Sequence, residues 1–63
     1  MNPVLESNIA ALRVKYPDMT RLELLVSFYR FLNHDTIAEP DQIARLKRDV
    51  EEAMVEAALE QQS

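Results

Sequence analysis

A serine, the single histidine of the chain and the aspartate that follows it are the residue types from which a catalytic triad is built. Nucleophilic catalysis requires a hydroxyl, an imidazole and a carboxylate that converge beside an oxyanion donor. Ser27 precedes His34 by seven residues on a predicted helix, which separates them by about 10 Å along its axis. Because that distance is too long for a hydrogen bond, we expect Ser27 and His34 to lie on the solvated side of the helix. We predict no catalytic residues.

A loose cluster of carboxylates at Asp35, Glu39 and Asp41 could suggest a calcium site. An EF-hand loop, however, has ligands at fixed positions and a glycine at its sharp turn, and the chain contains no glycine. It also contains no cysteine, and one histidine cannot build a zinc site alone. We therefore predict neither a metal nor a cofactor, and we interpret the cluster as acidic residues attracted to a helix N-terminus.

The charge of the chain argues against nucleic acid as a partner. Eleven acidic residues outnumber seven lysines and arginines, for a net charge of −4, whereas phosphate binding requires a basic face. The basic cluster at Arg45, Lys47 and Arg48 is surrounded by carboxylates that can neutralise it. A small DNA-binding regulator of helix-turn-helix type is the alternative left open, since three helices with a short turn after Tyr16 permit it.

The spacing of apolar residues predicts an all-α fold, with three helices in a single domain over residues 1–63. Apolar residues recur at helical intervals over about 3–16, 20–33 and 40–60. The first two segments predict a helical hairpin and the third a longer C-terminal helix. The absence of glycine disfavours tight β-hairpins and β-bulges, because glycine is the usual residue where the backbone needs a positive φ.

Each predicted helix has its own start signal. Asn2 is a good N-cap, and Pro3 suits the first helical position. Thr20 and Glu23 have the spacing of a capping box, in which each side chain binds the backbone N–H of the other residue. Pro40 suits the first position of the third helix. These signals predict helix starts at three places that the apolar pattern indicates independently.

The second helix is unusually apolar. Its apolar side chains cover roughly 220° of its circumference at about 100° per residue, whereas a surface helix normally has an apolar stripe a little over about 100° wide. We expect two flanking helices to cover this arc only in part, so that a second copy or a partner covers the rest. The apolar residues are Leu22, Leu24, Leu25, Val26, Phe28, Tyr29, Phe31 and Leu32.

The length of 63 residues also favours association. A core of this size rarely supplies more than about 3–5 kcal/mol, so small chains usually add disulfides, a metal or oligomerisation. Without cysteine, disulfides are excluded. We expect a homodimer through the second helix first, because closed twofold pairs are the commonest assemblies. A larger protein partner is the alternative.

These features predict a small non-enzymatic regulatory or adaptor protein, of the kind that includes inhibitors, anti-activators and antitoxin-like proteins. It would act by docking an apolar helix face on a larger protein. Glu6, Asn8 and Arg13 interrupt any apolar leader segment, so we expect a cytoplasmic protein with no membrane partner. The predicted protein-binding residues are Leu24, Phe28, Phe31, Met54, Val55 and Leu59.

An acidic stripe follows the third helix at i, i+3, i+7 and i+11. We interpret it as a solubilising outer face, because runs of charge usually are. The alternatives are a surface for a basic partner and a mimic of nucleic-acid charge. Carboxylates near a helix C-terminus oppose the helix dipole, which favours a functional role. The stripe consists of Asp49, Glu52, Glu56 and Glu60.

Overall fold

The structure, a computed structural model, describes residues 2–34 and 39–62. It contains α1 (Pro3–Lys15), α2 (Arg21–His34) and α3 (Pro40–Gln62). All three helices pack against one another, and the residues described include no β-strand. The predicted all-α fold with three helices is therefore confirmed.

The helices begin at the predicted start signals. The Asn2 side-chain oxygen accepts hydrogen bonds from the backbone N–H groups of Val4, at 3.0 Å, and Leu5, at 3.3 Å. At the start of α2, the Glu23 carboxylate accepts a bond of 2.9 Å from the Thr20 N–H, and the Thr20 hydroxyl accepts one of 3.2 Å from the Glu23 N–H. Both capping arrangements satisfy N–H groups that would otherwise have no partner within the helix.

The helix bounds differ from the sequence prediction by one or two residues. Tyr16 leaves the helical conformation, with φ −129° and ψ 74°, because the ring of Pro17 disfavours the α region in the residue before it. Thr20 is the cap of α2 and not its first residue, so α2 is displaced by one residue at each end. The helical conformation of α3 continues past the predicted end at Glu60 to Gln62.

One hydrophobic core lies between the three helices, and α2 supplies half of its buried residues. Leu24, Leu25 and Val50 are fully buried. Because α2 packs against both α1 and α3, its broad apolar arc is covered from two sides. The buried core consists of Leu5, Ile9, Leu24, Leu25, Phe28, Leu32, Val50 and Ala57.

The third helix spans the whole molecule. Its 23 residues, at a rise of about 1.5 Å each, account for the longest dimension of 36 Å. Tyr29 of α2 bonds to Glu51, whereas Arg21, at the start of α2, feels the charges of Glu56 and Glu60. The two helices therefore run antiparallel. Of the helices that the structure describes, none is both long and apolar enough to cross a membrane.

Candidate protein-binding surface

The binding residues predicted on α2 divide into a buried pair and one exposed residue. Leu24 is 0% exposed and Phe28 is 4% exposed, because α1 and α3 together cover the side of α2 on which they stand. The structure thus places these two in the core, where a partner cannot reach them without opening the fold. Phe31 remains 52% exposed, with its ring stacked 6.4 Å from that of Phe28.

On α3 the predicted binding residues reach the surface. Val55 and Leu59 are each 61% exposed. They stand at i and i+4, so their side chains are neighbours on one face of the helix; we call them the apolar pair. Met54 is half-buried and packs against the core. The apolar pair thus lies outside a core that is complete without it.

The surface beside the apolar pair continues onto α2. The Tyr29 hydroxyl donates a 2.8 Å hydrogen bond to a carboxylate oxygen of Glu51, which places the outer edge of α2 beside this side of α3. Half-buried apolar residues lie along the neighbouring edges of the two helices. Those on α2 are spaced at i, i+4 and i+7, and those on α3 follow Glu51 by three and seven residues. We call this surface, with the apolar pair, the outer α2/α3 face. The half-buried residues are Leu22, Val26, Tyr29, Met54 and Ala58.

Carboxylates line the apolar pair on both of its sides. Glu51 and Glu52 lie one turn before Val55, and Glu56 lies one turn before Leu59. All three carboxylates are exposed. In the C-terminal half of α3, residues 49–62, every charged residue is acidic. These residues are Asp49, Glu51, Glu52, Glu56 and Glu60.

This charge distribution is unfavourable for the helix itself. The C-terminal end of a helix carries partial negative charge, so an exposed carboxylate there costs about 0.3–1 kcal/mol. The last turn of α3 contains no basic residue, although it contains Glu60. The helix dipole therefore disfavours Glu60, whereas other groups of the fold offset part of this negative charge. Asp49 accepts a hydrogen bond from the Asn2 side chain and Glu51 accepts one from Tyr29, and the charge of Arg21 acts on Glu56 and Glu60.

Glu52 and Glu56 also line an open groove of about 590 Å³ between the three helices, which contains an ion pair. The Arg21 guanidinium donates two hydrogen bonds to the Glu6 carboxylate, at 2.8 and 3.1 Å. Hydrogen bonding to Arg21 lowers the pKa of Glu6. Hydrogen bonding to Glu6 raises the pKa of Arg21, with smaller contributions from the charges of Glu60 and Glu56. The pair joins α1 to α2.

Those of the residues considered for chemistry that the structure describes lie on α2 and at the start of α3. Ser27 is half-buried within α2, and His34 is exposed at its end. Glu39 and Asp41 are exposed at the start of α3, and Asp35 lies outside the described residues. Within residues 2–34 and 39–62, no three His, Cys, Asp or Glu side chains are grouped so that they could hold a metal ion.

Comparison of the chain with models of protein families, with curated proteins and with solved structures gives no match.

Proposed function

We propose that this protein is a small non-enzymatic regulatory or adaptor protein that binds a larger protein through its outer α2/α3 face. The observation that carries the proposal is the apolar pair, Val55 and Leu59, each 61% exposed and one turn apart. Single exposed apolar residues are common on protein surfaces. Two neighbours that adjoin a half-buried apolar edge form a contiguous patch, which is typical of interaction sites.

The spacing of the patch suits recognition between helices. Anchors at i and i+4 are the pattern with which a helix packs against a groove or another helix. Full burial of a valine or leucine side chain is worth about 1.5–3 kcal/mol. Burying the exposed part of both Val55 and Leu59 would therefore supply a substantial share of the affinity of a regulatory complex.

The alternative of a helix-turn-helix DNA-binding protein has less support. A recognition helix needs a polar and basic outer face. On α2 the exposed charges of Glu23 and Arg30 cancel, and the C-terminal half of α3 is acidic. Retention on DNA that weakens steeply with salt would support this alternative against protein binding.

The proposal is tested by photo-crosslinking in the cells that express the protein. A photoreactive residue replaces Leu59 in one variant and Val14, which is 85% exposed on α1, in a matched control. We expect position 59 to capture a protein that position 14 does not. The captured protein is then purified, and its dissociation constant is measured by calorimetry against wild type, Val55→Ser/Leu59→Ser and Val14→Ser.

We expect the double variant to bind about tenfold more weakly or worse, which corresponds to 1.4 kcal/mol or more, and Val14→Ser to bind like wild type. Circular dichroism checks that both variants keep their helices. Equal capture from positions 59 and 14, or an unchanged dissociation constant for the double variant, would overturn the proposal.

A further inference from the structure

We propose that the segment docking on the outer α2/α3 face is a basic amphipathic helix of another protein. The inference rests on the proposed function and specifies the chemistry of the partner: apolar anchors that cover Val55 and Leu59, flanked by lysines or arginines.

A second copy of this chain does not fit the face. A twofold dimer brings the same patch of both subunits together. Contact between the two apolar pairs would bring the acidic C-terminal half of one α3 against that of the other, where residues 49–62 contain no basic side chain to offset the repulsion. Like charges in an interface oppose association. The apolar pair therefore has the geometry of an anchor site, but the carboxylates beside it disfavour contact with the same face of a second copy.

A basic helix would instead be attracted by the carboxylates beside the apolar pair. Its cations would lie opposite Glu51 and Glu52 before Val55, and opposite Glu56 before Leu59, while its apolar residues cover the pair. A cation near the end of α3 also complements the helix dipole, which no basic residue of the last turn does in the chain itself. One partner chemistry thus complements both the apolar pair and the carboxylates beside it.

Charges elsewhere on the two helices limit where the basic partner can lie. On α2, Glu23 and Arg30 are exposed and of opposite sign, so that edge of the face has no net charge. Arg48 is exposed on α3 two turns before Val55, and further basic residues, Arg45 and Lys47, lie in the same N-terminal half. The basic segment is therefore confined to the C-terminal half of α3.

The test uses two synthetic peptides of about 18 residues, long enough to form a helix on the surface. One contains leucines at helical spacing and lysines elsewhere; in the other, every lysine is replaced by glutamate. Fluorescence anisotropy of each labelled peptide is measured with the full chain at low and at high salt. We expect the lysine peptide to bind at least about tenfold more tightly than the glutamate peptide, and its affinity to fall with salt as charges are screened.

Three variants separate the contributions. Val55→Ser/Leu59→Ser should weaken lysine-peptide binding about tenfold. Glu52→Gln/Glu56→Gln should weaken it severalfold and reduce its salt dependence. The matched control, Glu39→Gln/Asp41→Asn, removes the same charge from exposed residues at the start of α3 and should leave it within about twofold of wild type.

The outcomes distinguish this inference from the proposed function. Equal binding of both peptides, lost in Val55→Ser/Leu59→Ser and unaffected by Glu52→Gln/Glu56→Gln, would overturn the basic partner and support apolar docking. Lysine-peptide binding that survives Val55→Ser/Leu59→Ser would overturn the basic partner alone, because the peptide would then bind away from the apolar pair. Crosslinking of position 59 only to a second copy of the chain would overturn both, because the face would then join two copies.

Discussion

At the scale of single residues, the Glu6–Arg21 pair is the clearest link between α1 and the rest of the fold. Both side chains remain more than a third exposed, at 36% for Glu6 and 40% for Arg21. Solvent therefore screens the interaction, and an exposed pair of this kind contributes about 0.2–1 kcal/mol. Arg21 also lies at the start of α2, where the dipole disfavours a cation. The Glu6 carboxylate offsets that disadvantage.

We predict that Glu6→Gln lowers the free energy of unfolding by about 0.2–1 kcal/mol at pH 7. The pKa of Glu6 is lower in the folded chain than its ordinary value of 4.5. Its contribution is therefore complete above the unfolded-state pKa and is lost as pH falls through the folded-state pKa. Urea unfolding at pH 7 and at about pH 3 should show the difference from wild type shrinking with acid.

The control for this prediction is Ser7→Ala, which changes an exposed side chain of α1 that carries no charge. Its difference from wild type should stay the same between the two pH values, because neither side chain titrates. A difference for Glu6→Gln that is as large in acid as at pH 7 would contradict the assignment of the pKa shift to the ion pair.

At the scale of helices, residues of one chemical type have opposite roles on α2 and α3. Leu25 is 0% exposed in the core, whereas Leu59 is 61% exposed. Replacing a buried leucine by alanine removes apolar burial and leaves a cavity, which typically costs about 2–5 kcal/mol. A small core rarely supplies more than about 3–5 kcal/mol. One such cavity therefore approaches the whole stability of the chain.

We predict that Leu25→Ala leaves a large fraction of the chain unfolded at 25 °C, with a cost of about 2–5 kcal/mol. Leu59→Ala should stay within about 0.5 kcal/mol of wild type, as surface substitutions usually do. Circular dichroism during urea unfolding, at one dilute protein concentration, measures both. A loss in Leu59→Ala comparable to that in Leu25→Ala would mean that Leu59 belongs to the core and is not available to a partner.

At the scale of the whole molecule, α2 and α3 offer different faces for association. The homodimer stays a prediction. Of the three binding residues predicted on α2, Phe31 is the exposed one, so self-association through α2 would use Phe31. Phe31 is 52% exposed and stacks on the buried Phe28 ring, so its position is held by the core. Phe31 and the apolar pair are thus separate candidates, the first for self-association and the second for a basic partner.

We predict that light scattering over a concentration series shows a dimer for wild type and a mass near 7.3 kDa for Phe31→Ser. The variant should keep its helical circular dichroism, because the side chain is already half exposed. Val55→Ser/Leu59→Ser, the control, should retain the mass of wild type. A wild-type monomer at high concentration, or a dimer lost only in the control, would contradict self-association through Phe31.

Local sequence signals were enough to predict the three helices and the sites where they start. The capping box depends on Thr20 and Glu23 being three residues apart. The Asn2 side chain accepts hydrogen bonds from N–H groups two and three residues further along the chain. These interactions form within one turn of a helix and depend little on distant residues. Helix ends were predicted less accurately, because caps and packing decide the final turn.

Only the packing of the three helices decided which apolar residues became surface. Phe28 and Phe31 are one turn apart on the same apolar arc, yet one is 4% exposed and the other 52%. The Glu6–Arg21 pair joins residues that are fifteen positions apart on two helices, so no local spacing indicates it. Burial and pairing across helices depend on where α1 and α3 lie on α2. That arrangement is settled by the core as a whole, since each apolar side chain competes with the others for the same limited interior.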